Sequence, residues 1–192
     1  MNSHELLTRY RNGERDFSQA SLSAEDLSDC DLTGIQFWWA NLGGTNLERS
    51  QLTGANLNHA TLSNAMMWRT QLSGASLANA CMEHAILIGA NLQAADLQFA
   101  ILMRAELRLA NLSHASLAGA SLFRADLRYA DLRYANLRGA NLKRANLSGA
   151  QLTGADLTGA CLVGTQLYGT DLSQVTLHQA EFGRRPHRAI AS

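Results

Sequence analysis

The densest group of side chains that could bind a ligand lies between residues 104 and 144. This stretch holds eight Arg or Lys residues against three acids, a local balance of +5, although the formal net charge of the whole chain is zero. Guanidinium and ammonium groups bind phosphate, nucleic acid or carboxylates through charge-assisted hydrogen bonds. The stretch therefore indicates a candidate basic patch, which consists of Arg104, Arg108, Arg124, Arg128, Lys143 and Arg144.

Residues arranged for catalysis are missing from the sequence. It contains none of the short patterns of zinc proteases, phosphate-binding loops, serine hydrolases or paired-cysteine sites. The six histidines are spread along the chain, and none stands with a carboxylate at metal-ligand spacing. We therefore predict a protein that is not an enzyme and that uses no metal or other cofactor.

A period of five residues governs the chain from Phe17 to Phe182. All 34 positions at this spacing hold Leu, Phe or Met, and the residue two positions earlier is Ala in 24 of the 33 units from Ala20 to Ala180. A helix would spread these leucines over all its sides, and a flat strand would send them alternately to both faces. The chain must therefore turn a corner in every unit. Of the 15 glycines, 12 occupy the last position of a unit, where a turn favours them.

The stretch RYADLRYANLRGANLKRANLSGA, residues 128–150, shows the unit as A-(D/N)-L-x-x. Over residues 15–184 this recurrent unit resembles the pentapeptide repeat family. The resemblance implies an all-β fold, a right-handed quadrilateral β-helix with four units per square coil. About eight coils would then stack into a rod roughly 40 Å long. The opening of the chain, ELLTRYRNGERDF, is similar to that of cyanobacterial members of the family.

The chain is predicted to divide into a capping segment, the β-helix and a disordered tail, at residues 1–14, 15–184 and 185–192. Residues 3–12 of the cap read as a short amphipathic helix, from which Leu6, Leu7 and Tyr10 could rest on the first coil. No such helix follows the last coil. Since an exposed β edge invites pairing, either the tail or a second subunit of a homodimer would cover that end.

Residues 20 apart stack directly over one another in a four-sided coil, which arranges the basic patch in columns. The first column contains Arg104, Arg124 and Arg144, with Lys143 beside it, and the second contains Arg108 and Arg128. Glu106 and Asp126 form an acidic column between them. Two interpretations are open. The acids neutralise the arginines in surface ion pairs worth about 0–1 kcal/mol each, or the cations bind an anion or an acidic partner.

Eight apolar residues occupy outward positions that most units fill with polar residues or glycine. They are Met66, Trp68, Ile86, Ile88 and Leu109 on one face of the coil, and Ile101, Met103 and Phe123 on the neighbouring face. A contiguous apolar patch on a soluble protein marks an interface, whereas scattered surface hydrophobics are ordinary. Because these residues fall within about three coils, we predict a protein-contact patch.

These features favour a scaffold or regulator that presents a rigid surface to a protein partner of unknown identity. The resemblance suggests one alternative, a DNA mimic that binds type II topoisomerase, but such a rod must be strongly acidic. The other alternative is a rod that binds nucleic acid or another anion through its arginine columns, although no helix is available to enter a groove. No run of about 18 apolar residues is present, so we expect no membrane contact. The N-terminus does not read as a signal peptide, and the cysteines are odd in number, which favours a cytoplasmic location.

Overall fold

Backbone hydrogen bonds define the geometry of the coil. The structure, a computed structural model, describes residues 1–183. Twenty-nine parallel bridges, from Asp16–Gln36 to Cys161–Glu181, each join a residue to the one 20 positions further on. Each is a single bridged residue, and no longer strand occurs within the described part. Four five-residue units therefore complete one coil, and the fold is the predicted quadrilateral β-helix.

The interior is a stack of leucine layers. From Phe17 to Leu162, every residue at the five-residue spacing is buried, with at most 3% of its surface exposed. The small-residue positions, which come two residues before the leucine positions, are also buried from Ile35 to Thr165. Burying one leucine contributes about 1.5–3 kcal/mol. The regular repetition of this term along the chain explains how coils of single bridged residues can be stable.

Each corner of the coil is a tight turn. The small residue of one unit donates its N–H to the carbonyl of the preceding leucine-position residue, for example from Ala40 to Phe37 at 2.9 Å. The residue just before the small residue has a positive φ, as expected for the third residue of a type II turn. Glycine suits this position, yet 20 residues other than glycine adopt it with φ between 55° and 61°. Stacking between coils must therefore offset a backbone strain of about 1 kcal/mol at each corner that lacks glycine.

The Asp or Asn before each leucine stabilises the turn that follows. All sixteen Asp and Asn residues at this position accept a hydrogen bond through Oδ1 from the backbone N–H two residues later. Asn111 and Asn146, for example, accept at 3.0 Å. Only a short carboxylate or amide side chain forms such a local bond well. This bond is the physical reason for the D/N position of the repeat.

A helix covers the N-terminal end of the rod. Helix α1 spans Ser3–Arg11, and the Asn2 side chain caps its first turn. Leu6 is completely buried in the core, and the Tyr10 hydroxyl donates to a backbone carbonyl of the first coil at 2.8 Å. The N–H of Ser3 donates to the carboxylate of Glu25 at 2.8 Å. Glu25 departs from the repeat at a small-residue position, and this contact with α1 accounts for it.

The C-terminal end of the described rod is less well covered. The last inward residues are all partly exposed, namely Leu167, Leu172, Leu177 and Phe182. The bridge that would join Gln151 to Asp171 is missing from the series, so the last coil has left the regular ladder on one face. The predicted tail, 185–192, and residue 184 lie outside the described residues. A homodimer through this end stays a prediction.

Substitution of two glycines should separate the cost of the turn from the cost of packing. Gly149 and Gly139 have similar φ, 68° and 64°, but a Cβ at Gly149 would lie 2.6 Å from the Tyr129 ring, whereas nothing lies within 4 Å at Gly139. We expect Gly139→Ala to lower the free energy of unfolding by about 1 kcal/mol and Gly149→Ala by about 2 kcal/mol, because the ring must move. Urea unfolding measures both. Equal losses would contradict the packing argument, as would a difference that persists when Tyr129 is also changed to Ala.

Candidate interaction surface

Three arginines follow one corner of the rod. Arg104, Arg124 and Arg144 occupy the same turn position in three successive coils, with φ of 56°, 58° and 60°. All three are exposed, and Lys143 is exposed beside the last of them. Neighbouring coils are about 4.8 Å apart, so the three Cα atoms span roughly 10 Å along the rod. These four residues are called the cationic corner below.

The four residues of the cationic corner differ from the other cations of the basic patch in their ion pairing. Of the ion pairs formed within residues 1–183, none involves Arg104, Arg124, Lys143 or Arg144. The Arg124 guanidinium carbon instead lies 5.2 Å from the centre of the Phe123 ring, in cation–π geometry. Like charges at this spacing repel one another. An anionic partner would therefore relieve an unfavourable interaction as well as add favourable ones.

The second predicted column of arginines is neutralised. Arg108 contacts Glu106 at 2.9 Å, and Arg128 contacts Asp126 at 2.6 Å. Burial acts to raise the pKa of Asp126, but hydrogen bonds from Arg128 outweigh it and hold that pKa below its usual value. Of the two interpretations of the basic patch, neutralisation by neighbouring acids is therefore the one that applies to Arg108 and Arg128. The structure divides the predicted basic patch into a paired column and an unpaired corner.

The arginines on the other two faces are also paired. Arg133 contacts Asp131 at 2.6 Å, and Arg138 contacts Asp156 of the next coil at 2.9 Å. The hydrogen bond from Arg133 lowers the pKa of Asp131. The local excess of positive charge is therefore concentrated at the cationic corner.

The predicted apolar residues form two blocks and one isolated position. The first block consists of Met66, Trp68, Ile86 and Ile88 on one face, where the backbone bridge Met66–Ile86 joins neighbouring coils. The second block consists of Ile101, Met103 and Phe123 on the adjoining face, and it lies beside the cationic corner. Trp68, Met66 and Ile101 are 45%, 43% and 38% exposed, and the other four are half-buried. Leu109, 64% exposed, stands apart on the far corner of the first block's face.

The apolar blocks replace residues that stabilise the turns elsewhere. Between Asn56 and Asn91, six consecutive units have no Asp or Asn before the leucine, and Met66 and Ile86 stand at two of these positions. Ile101 occupies the corresponding position, directly before a leucine, in the second block. None of the three can accept the local hydrogen bond that all sixteen Asp and Asn residues accept. The chain therefore gives up turn stabilisation where it exposes apolar surface, which sequence patterning alone did not reveal.

One cation beside the first block was missed from the sequence. The Arg69 guanidinium carbon lies 5.3 Å from the centre of the Trp68 ring, and Arg69 takes part in no ion pair among residues 1–183. The signal in the sequence that could have identified Arg69 is its position directly after an outward tryptophan. Each apolar block thus carries an arginine over an aromatic ring, Arg69 over Trp68 and Arg124 over Phe123.

Two hollows lie elsewhere on the described surface. One hollow lies between α1 and the first coil and is lined by residues that include Tyr10, Arg15 and Cys30. Burial raises the pKa of the Cys30 thiol, which makes it a poor nucleophile. The second lies against Trp38 and Trp39. Across residues 1–183, no three His, Cys, Asp or Glu side chains are grouped so that they could hold a metal ion.

Within residues 1–183, the helical structure is too short to span a membrane.

The sequence matches the family model of pentapeptide repeats, with eight copies that extend from residue 16 to residue 174. The chain belongs to the pentapeptide repeat family. No curated protein matches it in sequence.

Solved structures of the same fold are similar to the rod over most of its length. HetL, a pentapeptide repeat protein involved in heterocyst differentiation regulation in the cyanobacterium Nostoc sp. strain PCC 7120, is 33% identical, with 94% of this chain and 96% of that chain covered and a TM-score of 0.69. QnrB1, a plasmid-mediated fluoroquinolone resistance protein, is 23% identical, with 89% and 86% covered and a TM-score of 0.59. The QnrB1 likeness concerns the fold alone.

Proposed function

We propose that the protein is a non-enzymatic interaction scaffold, a rigid rod that holds a protein partner against its apolar blocks and cationic corner. The observation that carries the proposal is the replacement of turn-stabilising Asp and Asn by Met66, Ile86 and Ile101. The coil does not need these outward apolar side chains, because the inward leucines already fill its core. Apolar surface with cations over its aromatic rings is typical of a protein interface.

The similarity to HetL supports a regulatory role for such a scaffold. HetL is involved in the regulation of heterocyst differentiation, and the likeness extends over nearly the whole of both chains. A regulator without catalytic residues acts by contact, for which a rigid surface is suitable. A cytoplasmic location is part of the same proposal, since all three cysteines are unpaired thiols and suit a reducing compartment.

The alternative of a DNA mimic receives less support from the surface. A mimic must present carboxylates where DNA presents phosphates, whereas this rod has no net charge and concentrates unpaired cations in its middle coils. Those cations would repel the basic groove that binds DNA in a topoisomerase. The fold shared with QnrB1 does not change this electrostatic argument.

Replacing the two aromatic residues of the blocks by aspartate tests the scaffold proposal. The wild-type rod and Trp68→Asp/Phe123→Asp are immobilised, and proteins retained from a lysate of the organism that makes the protein are identified by mass spectrometry. We expect a partner that the wild type retains and the variant loses, by about tenfold or more, since burying a carboxylate in an apolar interface is costly.

The variant Trp39→Asp/Phe99→Asp is the matched control. Trp39 and Phe99 are exposed aromatics at 56% and 61%, and they lie outside both blocks, so the change in charge and size is the same. Circular dichroism verifies that all three proteins are folded. Retention of the same proteins by all three would contradict the proposal. Loss of the protein's own copies alone would make the blocks a homodimer interface instead.

A further inference from the structure

The wall beside the cationic corner offers no continuous edge to an added β-strand. At the cationic corner, the N–H groups of Arg104, Arg124 and Arg144 donate to carbonyls of the next coil at 2.9, 3.1 and 2.9 Å. Leu102 and Leu122 donate in the same way at 2.8 Å. A partner on this face must therefore bind through side chains and must satisfy its own backbone. An α-helix does so, whereas an extended segment leaves its backbone groups unpaired or in water.

The spacing of the cations matches the side-chain spacing of a helix. Arg104 to Arg144 covers about 10 Å along the rod. On a helix, residues i, i+3 or i+4, and i+7 share one face, and i to i+7 covers about 10.5 Å. On an extended strand, the corresponding three same-face residues cover roughly 13 Å. The spacing of the cations differs from that of the helix by less than about 1 Å and from that of the strand by about 4 Å. Long arginine side chains adjust to the first difference more easily than to the second.

The second apolar block supplies the other half of the contact. Met103 and Phe123 stack in the column next to the corner, and Ile101 lies beside Met103. A helix laid along the corner would place its acidic stripe on the arginines and its adjoining stripe on this block. The half-buried Val163 extends the same column beyond Lys143. The surface thus pairs one apolar strip with one cationic strip, both parallel to the rod axis.

We propose that the cationic corner and the second apolar block bind an amphipathic helix of the partner, aligned with the rod axis, with carboxylates at positions i, i+3 or i+4, and i+7 and apolar residues on the adjoining stripe. The inference rests on the proposed scaffold function and defines the chemistry of the partner. About ten helical residues are enough to follow the corner from Arg104 to Arg144 with one flanking residue on either side.

Helical peptides of fixed composition test the proposal directly. The probe is a fluorescein-labelled peptide of about 15 residues, held helical by a hydrocarbon staple on its far face, with Glu at i, i+3 and i+7 and Leu on the next stripe. Its control has the same residues and staple, with the Glu residues distributed around the helix. Fluorescence anisotropy at about 50 mM salt should show the striped peptide binding at least about tenfold more tightly.

Two variants of the rod identify the arginines responsible. Arg104→Gln/Arg124→Gln should weaken binding of the striped peptide by about tenfold or more. Arg133→Gln/Arg138→Gln removes the same charge from ion-paired residues on the other two faces and should change binding by less than about twofold. Both variants are exposed substitutions that should leave the fold intact.

Three results would overturn the helix inference. They are equal affinity for both peptides, equal loss in both arginine variants, and tighter binding of a short DNA duplex than of the striped peptide through Arg104 and Arg124. The last would assign the corner to nucleic acid, with affinity that falls steeply with salt. Failure of the scaffold proposal is distinguishable, because it is measured by loss of the natural partner in Trp68→Asp/Phe123→Asp. If that loss occurs while the peptides bind equally, the scaffold stands and the helix inference fails.

Discussion

Truncating Leu107 to alanine should lower the free energy of unfolding by about 3–5 kcal/mol, among the largest effects of any single substitution in the rod. Leu107 is completely buried, and so are the residues at the same position in the coils before and after it, Leu87 and Leu127. Removing its side chain leaves a cavity that coils on both sides line. Because the backbone ladder holds the coils at a fixed distance, they cannot collapse to fill it.

The same truncation at the end of the rod is the control. Leu177 is partly exposed and has an inward neighbour, Leu157, in the preceding coil only. We expect Leu177→Ala to cost about 1–2 kcal/mol, since one wall of its site is already open. Urea unfolding followed by circular dichroism compares the two variants. Equal losses would show that stacking on both sides does not determine the stability of a coil.

Placing a charge under the N-terminal helix should have a comparable effect. In Leu6→Asp, a carboxylate replaces the one completely buried side chain of α1, and we expect a loss of roughly 3–5 kcal/mol. The first coil depends on this contact. Phe17, Leu22 and Leu27 are at most 3% exposed although no coil precedes them. With α1 undocked, these residues would face water, and the protein should bind a hydrophobic dye and associate.

Thr8→Asp adds the same charge to the exposed side of the same helix. Thr8 is exposed, so this change should shift stability by less than about 0.5 kcal/mol. Urea unfolding, dye binding and light scattering are compared for both variants. If Leu6→Asp remained as stable and monodisperse as Thr8→Asp, α1 would not be the cover of the first coil.

The repeat itself allowed most of the fold to be predicted. The inward leucines and the corners follow from a period that neither a straight helix nor a flat strand can satisfy, and the N-terminal helix was predicted from the amphipathic pattern of residues 3–12. The number of residues per coil came from resemblance to a family, and the bridges confirm it. Glycine marks the corner position in 12 units, and 20 residues other than glycine adopt the same positive φ.

The position of each surface residue could be predicted from the sequence, but the ion pairs that it forms could not. A column map places Arg104, Arg108 and Arg128 correctly, because residues 20 apart must stack. It does not tell which way a long side chain turns. Arg108 and Arg128 reach the acids beside them, whereas Arg104 forms no ion pair with any residue that the structure describes.

The sequence by itself determined that the chain turns a corner in every five-residue unit and buries one large side chain there, because neither a straight helix nor a flat strand satisfies that period, whereas the four units per coil came from the resemblance to a family. The tertiary structure decided which charges are paired, what the Asp or Asn of each unit bonds to, and how α1 packs on the first coil. The physical reason is that the direction of each position and the place of each turn repeat with the unit, whereas the contacts of long side chains do not. An ion pair or a capping contact depends on the direction that a side chain takes and on the neighbours that it meets, either in its own unit or in the next coil.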